Sequence, residues 1–377
     1  MRWPRAQAWA AWLAAAFLAA FITAPLGLAL RSPPPAVAPP VPLSPAITVS
    51  SKSEVPRLQS ELETLASAFA DPVGIAVIDL TDGKTAAVAG EQDFPQQSVS
   101  KLWVALALLD GADHDRWSLD DPVVMRDEDL SVFYQPIAKE YGPDGYRTTL
   151  DDLMARALID SDNAAADKLV RFLGGAAAIQ AVLDAKGLAG IRAGGEERHL
   201  QSAIAGLRWR NAYGHGKSFK IDRENLPEEV RDAAVARYMA NMPDRGTPMG
   251  VARALAALQA GRLLKPQSTR RLIEVMSRST TGPNRLKGGL PAGWKIAHKT
   301  GTGQDWRDKV VGYNDVGVIT APDGRAYAVA VLVGRSITRM PARFALMQGV
   351  SAAVVRQWEA DTGRVAGPPA NEAAPAR

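Results

Sequence analysis

The sequence contains no cysteine among its 377 residues. That absence excludes disulfides, thiolate nucleophiles and cysteine-ligated metal sites together. Only four histidines are present, and their spacing matches no metal-binding pattern; they are His114, His199, His215 and His298. A zinc-dependent hydrolase is therefore disfavoured, and we expect no metal and no other cofactor.

The sequence also has little excess of positive over negative charge. The formal net charge is only +4, and the basic residues are scattered along the chain without forming runs. Because nucleic-acid binding needs a concentrated basic surface, a nucleic acid is not an expected partner. Neither a Gly-x-Ser-x-Gly elbow nor a phosphate-binding loop occurs. Apolar residues make up 47% of the chain, which is enough for a well-filled core.

The two ends of the chain differ from its middle. A short basic start and an apolar stretch at residues 8–30 make residues 1–30 either an export signal or an N-terminal membrane anchor, and both alternatives stay open. Both place the rest of the chain outside the cytoplasm, in a periplasmic or similar compartment. Residues 31–53 are Pro-rich and predict a stiff linker, whereas the Ala/Pro-rich residues 364–377 predict a disordered tail.

The globular part, residues 54–363, has strand patterns at both ends and a helical pattern between them. Strand patterns separated by turn residues occur at residues 73–80, 85–89, 294–298, 310–320 and 326–333, with turns at Asp82-Gly83 and Pro322-Asp323-Gly324. Helical spacing dominates residues 98–285 and returns at 343–359. Thr149 with Asp152 predicts a helix start, and Gly261 a helix end.

This order of elements predicts a two-lobed α+β fold. One lobe is an antiparallel sheet of about five strands, built from both chain ends and flanked by helices, and the other is all-helical. A cleft between two lobes is a favourable place for a binding site. We expect a monomer.

Three short motifs occur in order along this predicted fold. They are Ser98-Val99-Ser100-Lys101, Ser161-Asp162-Asn163 and Lys299-Thr300-Gly301. A Ser-x-x-Lys pair alone arises by chance roughly once in a chain of this size, but each tripeptide is rarer. The three together are therefore a specific signal.

Ser98 and Lys101 have a chemical meaning of their own. They stand at a predicted helix start, one turn apart on the same face. A serine hydroxyl needs a base to lose its proton, and an amine near a helix N-terminus and a second cation can be partly neutral. Taken alone, the pair would describe an ordinary polar helix start with a solvated lysine.

The trio resembles the signature of the class A β-lactamases and penicillin-binding proteins. The resemblance covers about residues 54–359 and is nearer to the class A branch. Further matching segments are Phe94-Pro95, Tyr134-Gln135-Pro136-Ile137 and Asn314-Asp315. The resemblance implies the two-lobed β-lactamase/transpeptidase fold and a small-molecule β-lactam or peptidoglycan-like substrate.

The resemblance also implies roles for the second motif. Ser161 would relay a proton to the leaving nitrogen, and Asn163 would hydrogen-bond a substrate amide. Asp162 would brace the loop through backbone contacts. As an isolated tripeptide the motif could equally be a simple helix cap.

Roles at the third motif follow from the same resemblance. Lys299 and Thr300 would bind the substrate carboxylate, and the backbone N–H groups of Ser98 and Thr302 would form an oxyanion hole. Gly301 would let a ligand approach the strand closely. Tyr134 and Arg307 are further substrate-binding candidates, with a half-buried loop tyrosine and an exposed loop arginine as the alternatives.

The deacylation base is the deciding residue in this family. The segment Glu197-Arg198-His199-Leu200-Gln201 stands where class A enzymes have Glu-x-x-Leu-Asn. Glu197 is therefore the candidate base, against the alternative of a solvated surface pair with Glu196. Gln201 replaces the asparagine, and residues 202–245 are longer than is usual there.

Three functions follow for testing. The leading hypothesis is a serine hydrolase that opens β-lactam rings through an acyl-enzyme, with Ser98, Lys101, Ser161 and Glu197 as catalytic residues. Whether Lys101 or Glu197 activates Ser98 stays open. The alternatives are a D-Ala-D-Ala peptidase of the penicillin-binding type and a non-catalytic penicilloyl-binding receptor.

Overall fold

The computed structural model describes residues 56–369. The predicted signal or anchor at 1–30 and the predicted linker at 31–53 lie outside the described residues, as do residues 370–377 of the predicted tail. Within the described part, no helix is both long enough and apolar enough to cross a membrane.

The described residues contain eleven α-helices and twelve strands. The helices are α1 Pro56–Ala68, α2 Lys101–Asp113, α3 Leu150–Ile159, α4 Asn163–Phe172, α5 Ala176–Ala185, α6 Glu197–Ala205, α7 Ser218–Asn225, α8 Glu228–Asn241, α9 Pro248–Gln259, α10 Pro266–Ser277 and α11 Met340–Thr362. The strands are β1 Val73–Asp79, β2 Thr85–Val88, β3 Phe94–Pro95, β4 Pro122–Met125, β5 Tyr146–Thr149, β6 Arg245–Gly246, β7 Lys295–Thr302, β8 Asp305–Trp306, β9 Lys309–Val311, β10 Tyr313–Thr320, β11 Ala326–Val333 and β12 Arg335–Ser336.

The main sheet has five antiparallel strands in the order β2-β1-β11-β10-β7. It joins strands from both ends of the globular part, as predicted, and similar solved structures share this two-lobed fold. The predicted fold class is thus confirmed.

The central strand β11 shows how the sheet is covered on both faces. All eight of its residues are buried. Successive side chains of a strand point to opposite faces, and here Val329 and Val331 pack in the core with α1 and α11, whereas Ala328 and Ala330 pack in the core with α9. The small alanine side chains let α9 lie close to the sheet.

Helix α2 lies at the centre of the helical lobe. Its residues from Lys101 to Gly111 are all buried, which is the pattern of a helix surrounded by other elements. Because the Ser98 motif leads directly into this helix, the nucleophile candidate stands on one of the most tightly held elements of the molecule.

The predicted local signals agree with the structure in several places. The turns at Asp82-Gly83 and Pro322-Asp323-Gly324 connect paired antiparallel strands. The Thr149 hydroxyl accepts a hydrogen bond from the Asp152 N–H at 3.2 Å and caps α3. Gly261 follows α9 with a φ of +68°.

One predicted strand is divided in the structure. Residues 310–320 form the end of β9 and the whole of β10, separated by Gly312. Gly312 has a φ of +96°, and a β-carbon there would lie 2.9 Å from the Gln97 side chain. A glycine is required at this break because it combines a left-handed backbone with a close neighbour.

Part of the predicted disordered tail, residues 364–369, lies within the described residues. Residues 364–369 return to the sheet lobe, where the Ala366 N–H donates to the Glu359 carboxylate at 2.8 Å and Pro369 bridges to Pro291. Ala366 also packs against the core beneath α11. Residues 364–369 therefore contact the folded part of the chain, and disorder of the tail at residues 364–377 stays a prediction.

Candidate active site

Ser98 lies in a single 3₁₀ turn, Gln97–Ser100, directly before α2. The residue ahead of it, Gln97, has a φ of +53°, a left-handed conformation that is uncommon for a residue with a side chain and tends to occur at functional sites. The Lys101 Nζ donates to the Ser98 Oγ at 2.8 Å. The predicted pairing of the two residues is therefore present.

Lys101 is the centre of a buried group of polar side chains. Its side chain is only 2% exposed, and its ammonium donates to the Asn163 Oδ1 at 2.6 Å and lies 3.2 Å from the Glu197 Oε1. It also donates to the backbone carbonyl of Ser161 at 3.3 Å. A buried ammonium needs such partners, and here all of them belong to the predicted site.

The Ser161–Asn163 loop points into the cleft for reasons visible in its backbone. Ser161 has a φ of +62°, and Asp162 caps α4 by accepting from the Ala165 N–H at 3.0 Å. Asp162 also accepts from the Ile137 N–H at 2.7 Å. It thus braces the loop, as the sequence predicts for it.

Lys299 reaches the same point from the sheet lobe. Its Nζ donates to the Ser161 Oγ at 2.9 Å and to the Thr300 carbonyl at 2.8 Å. Its side chain is fully buried, and burial, together with the nearby Lys101 charge, lowers the pKa of Lys299 well below its usual value. One hydroxyl and two amines therefore converge although 198 residues separate Lys101 from Lys299 along the chain.

Glu197 opens α6 and lies inside the site. The Ser98 Oγ donates to its Oε1 at 3.4 Å. Burial alone would raise the pKa of Glu197, but the Lys101 charge and the hydrogen bonds from Gln201 and Lys101 hold it below its usual value. The alternative of a solvated pair with Glu196 does not hold, because Glu196 turns away to Arg171 and Arg198.

Gln201, which replaces the family's asparagine, contacts the base directly. Its Nε2 donates to the Glu197 Oε2 at 2.9 Å and to the Gln97 Oε1 at 2.9 Å. Its own oxygen accepts from the Gln304 Nε2 at 3.0 Å. The longer amide thus joins the base to the serine turn and to the loop after β7.

Thr300 and Thr302 form the other side of the cavity. The Thr300 hydroxyl lies 2.7 Å from that of Thr281, and Arg285 donates to the Thr302 Oγ1 at 2.5 Å. These hydroxyl and guanidinium groups suit a carboxylate ligand.

Gly301, between the two threonines, has a packing role that the sequence did not indicate. A β-carbon at Gly301 would lie 2.3 Å from the Gln96 carbonyl and 3.2 Å from the Val99 backbone nitrogen. The absence of a side chain at Gly301 therefore lets β7 lie against the serine turn. The sequence predicts instead that this glycine makes room for a ligand. This close contact packs β7, which carries the Thr302 backbone N–H, against the turn that carries Ser98.

Arg307 is not brought to the cavity. It lies in the turn between β8 and β9 with a φ of +56°, its side chain is 41% exposed, and its guanidinium pairs with Glu228 and Asp232. Because this turn directs the side chain away, the alternative of an exposed loop arginine describes it. Arg285 occupies the position expected of Arg307.

A cavity of about 580 Å³ joins these groups. It is lined by Ser98, Phe133, Tyr134, Asp160, Ser161, Asn163, Glu197, Gln201, Arg223, Thr280, Thr281, Arg285, Thr300, Thr302, Gly303, Gln304 and Asp305. Tyr134 stands at the mouth with 60% of its surface exposed. The side chains of Lys101 and Lys299 are buried behind these lining residues. Among the described residues, no group of His, Cys, Asp and Glu is arranged to hold a metal ion.

Two buried carboxyl groups behind the site were missed from sequence. Asp167 accepts from the Glu197 N–H at 2.5 Å, and Asp244 accepts from the Gln97 N–H at 2.7 Å and the Tyr238 hydroxyl at 2.8 Å. Burial raises the pKa of Asp167 to about 7 and that of Asp244 to about 6. Each carboxyl group holds the backbone of a catalytic segment.

Arg285 was also missed, since its loop carries no motif of fixed spacing. Its guanidinium stacks 3.8 Å from the Tyr313 ring centroid and donates to the Gly301 and Asn314 carbonyls. Only the fold shows these contacts, because they join parts of the chain 16 and 29 residues apart.

Comparisons with known proteins agree with this geometry. The family model described as the β-lactamase enzyme family matches residues 57–358. The chain is 28% identical to the extended-spectrum β-lactamase PER-1 of Pseudomonas aeruginosa, over 75% of this chain and 81% of the relative. It is 30% identical to the β-lactamase CTX-M-6 of Salmonella typhimurium, over 73% of this chain and 79% of the relative.

Solved structures give the same result. The extended-spectrum β-lactamase TLA-1 is 26% identical with a TM-score of 0.64, covering 79% of this chain and 96% of that one. A variant of the last common ancestor of the class A β-lactamases of Gram-negative bacteria is 29% identical with a TM-score of 0.63, covering 81% and 99%. With the Ser98 centre assembled as described and the family model matched over most of its length, the chain belongs to the β-lactamase enzyme family, in its class A branch.

Proposed function

We propose that the protein hydrolyses β-lactams through an acyl-enzyme formed on Ser98. The observation that carries this proposal is the placement of the Ser98 hydroxyl within 2.8 Å of the Lys101 amine and 3.4 Å of the Glu197 carboxylate. The nucleophile Ser98, the base Lys101 and a second base that can activate water, Glu197, thus meet at one wall of a cavity. The cavity is large enough for a small molecule.

Acylation begins with loss of the Ser98 proton. The Lys101 amine is the nearer base, and its 3.2 Å contact with Glu197 lets the carboxylate take a proton from the ammonium first. Ser98 Oγ then bonds to the lactam carbonyl carbon, and the backbone N–H groups of Ser98 and Thr302 hold the oxyanion. Both bases named from sequence therefore take part in one proton path.

The lactam C–N bond breaks when its nitrogen receives a proton. Ser161 is the donor in this proposal, because its hydroxyl accepts from the Lys299 Nζ at 2.9 Å. The lowered pKa of Lys299 eases transfer of its proton through Ser161 to the nitrogen. Before deacylation, Lys299 regains its proton from the Lys101 ammonium through Ser161. The Lys101 amine then takes back the proton held by Glu197, so that Glu197 is again a carboxylate.

Deacylation uses Glu197 as a general base. A water between Glu197 and Gln201 would lose its proton to the carboxylate and attack the ester carbonyl carbon. The ester C–O bond then breaks, Ser98 Oγ takes back a proton, and the ring-opened acid leaves. The 2.9 Å hydrogen bond from Gln201 to the Glu197 Oε2 orients the carboxylate for this step.

The direct test is turnover of a chromogenic cephalosporin by the purified protein. Ser98→Ala should remove the activity, and the wild-type protein should give a transient mass increase on its Ser98 peptide. Turnover at the wild-type rate by Ser98→Ala would overturn the assignment of the nucleophile.

We also propose that the protein acts outside the cytoplasm as a monomer. The support is the sequence alone, namely the basic start and the apolar stretch at residues 8–30. Fractionation of expressing cells, with the intact mass of the recovered protein, separates a cleaved signal from a retained anchor. Sedimentation of the purified catalytic part tests the monomer; activity confined to the cytoplasm would contradict the proposed location.

A further inference from the structure

The segment at residues 202–245, which the sequence left without a role, forms one wall of the cavity. Helix α7 belongs to it and is held by an aromatic cluster in which Phe219 contacts both Phe133 and Tyr213, with ring centroids 5.1 and 5.4 Å apart. Arg223, near the end of α7, lines the cavity itself.

Two contacts hold the Arg223 guanidinium at the cavity wall: it lies over one aromatic ring, and it donates one hydrogen bond. Its guanidinium carbon lies 5.7 Å from the Phe133 ring centroid, and its Nη1 donates to the Gln304 Oε1 at 3.2 Å. Its Nε is buried and has no hydrogen-bond partner. Because the Nε is closed off from solvent, an anion in the cavity would be held by the Nη groups, of which Nη2 donates to no acceptor in the described part of the chain.

Positive charge at this wall is not neutralised. No carboxylate of residues 56–369 lies within 4 Å of the Arg223 guanidinium, whereas the neighbouring Asp222 is engaged by Arg210. The carboxylates that face the cavity are Glu197, which pairs with Lys101, and Asp160 and Asp305, neither of which contacts Arg223.

A second guanidinium adds to this charge. Arg231 of α8 stacks 3.4 Å from the Trp306 ring centroid and likewise has no carboxylate within 4 Å in the described part of the chain. Its burial and the Arg223 charge lower the pKa of Arg231 to about 10. Two guanidinium groups therefore lie near each other, and only the longer-range charges of Glu224 and Asp232 offset that of Arg231.

Arg223 does not belong to the hydrogen-bonded group that suits the carboxylate of the lactam nucleus. In that group Thr300 contacts Thr281, and Arg285 donates to Thr302. Arg223 is instead joined through Gln304 to Gln201 of α6. In penicillins and cephalosporins, the ring carboxylate and the acylamino side chain are at opposite ends of the fused rings. A substrate that binds its ring carboxylate at Thr300 would therefore place its acyl side chain elsewhere in the cavity, where Arg223 is a lining cation.

We propose that Arg223 is a second anion-binding position, which receives a carboxylate carried on the acyl side chain of a β-lactam. This inference rests on the proposed function and adds the substrate class that the site prefers. The bound carboxylate would accept from the guanidinium donors that the fold leaves free. Since Gln304 bonds both Arg223 and Gln201, and Gln201 bonds Glu197, occupation of this position is also connected to the deacylation base.

The test uses two substrates that differ by one carboxylate, benzylpenicillin and its α-carboxy derivative. The measured quantity is the ratio of kcat/KM for the carboxy derivative to that for benzylpenicillin. In Arg223→Gln this ratio should fall about tenfold, because a charge-assisted contact is lost for one substrate only. Arg223→Lys should give an intermediate ratio, and Arg237→Gln, which removes an exposed charge on α8, should leave it at the wild-type value.

A ratio in Arg223→Gln within about twofold of the wild-type value would overturn the inference. If that variant does not fold, salt gives a second measurement on the wild-type protein, since raising NaCl from about 50 to about 500 mM screens a charge contact and should lower the ratio. A ratio that does not change with salt counts against the proposal. Failure of the wild-type protein to hydrolyse either penicillin would instead overturn the proposed function.

Discussion

The serine wall of the site and the α6–α8 wall are built in different ways. Ser98, Lys101 and Ser161 stand at the starts of buried helices, and Lys299 stands on a sheet strand, so regular elements fix their positions. Arg223 stands on the short helix α7, whereas Gln304 and Asp244 lie in loops, and the side chains of all three are held by contacts with other side chains. Chemistry common to the family is therefore carried by regular elements, whereas the substrate preference proposed above depends on a network of side chains.

The two walls should respond differently to substitution. Removing a group from the serine wall should mainly change rates of chemistry, because its supports are backbone elements that remain in place. Removing a group from the α6–α8 wall should change substrate preference, stability and pH dependence, because each side chain there supports another. Single substitutions on each side can test this difference.

The largest effect is expected for Lys101→Met on the serine wall. It removes the base nearest to Ser98 and leaves the Asn163 Oδ1 and the Glu197 Oε1 without their shared donor. We expect kcat/KM for a chromogenic cephalosporin to fall about 10⁴-fold, equivalent to about 5 kcal/mol. Thermal unfolding should be measured alongside, and Lys139→Met, a change at an exposed lysine outside the cavity, is the control. A fall of less than tenfold would mean that Glu197 alone activates the serine.

Glu197→Gln should separate acylation from deacylation. The amide can still accept from Ser98 and Lys101 but cannot take a proton from water, so we expect deacylation to slow about 10³-fold, or about 4 kcal/mol. Intact-mass spectrometry during incubation with benzylpenicillin should show a persistent adduct of one substrate mass. Unchanged turnover would support the D-Ala-D-Ala peptidase alternative, in which this carboxylate has no such task; Glu196→Gln serves as the matched control.

Lys101 and Glu197 were both predicted from the sequence, but other parts of the site were not. Strand and turn patterns predicted the five-stranded sheet, and the resemblance of three motifs to a known family predicted Ser98, Lys101, Ser161 and Lys299. Arg285 and Arg307 show the limit, because both are loop arginines near the Lys299 motif and only tertiary contacts decide which one faces the cavity. Asp244 and Gln304 were not predicted because their partners are distant in sequence, with Asp244 147 residues from Gln97.

Asp244→Ala tests whether the α6–α8 wall supports the serine turn. The change leaves the Gln97 N–H and the Tyr238 hydroxyl without their acceptor in a buried place. We expect a loss of about 3 kcal/mol in the free energy of unfolding, measured by urea denaturation. Because Gln97 precedes the nucleophile, kcat should also fall, by about tenfold. Tyr238→Phe, which keeps the carboxyl group, should cost less than half as much, and an equal cost would show that the hydroxyl is the principal support.

The smallest effect concerns Asp167 and pH. Burial raises the pKa of Asp167 to about 7 in the folded protein, whereas an unfolded aspartate titrates near 3.8. Between these values the folded state binds more protons than the unfolded state, so the stabilising contribution is complete below about pH 4 and is lost as pH rises through about 7. Raising the pH from 5 to 8 should therefore cost the wild-type protein about 2 kcal/mol of unfolding free energy from this group.

Asp167→Asn cannot titrate but keeps an oxygen for the Glu197 N–H, so its urea midpoint should change less over the same range. Other groups, Asp244 among them, contribute equally to both proteins, and the difference between their pH profiles isolates Asp167. Parallel profiles would show that Asp167 is ionised throughout, held so by the Ser131 hydroxyl and the two backbone N–H groups that point at it.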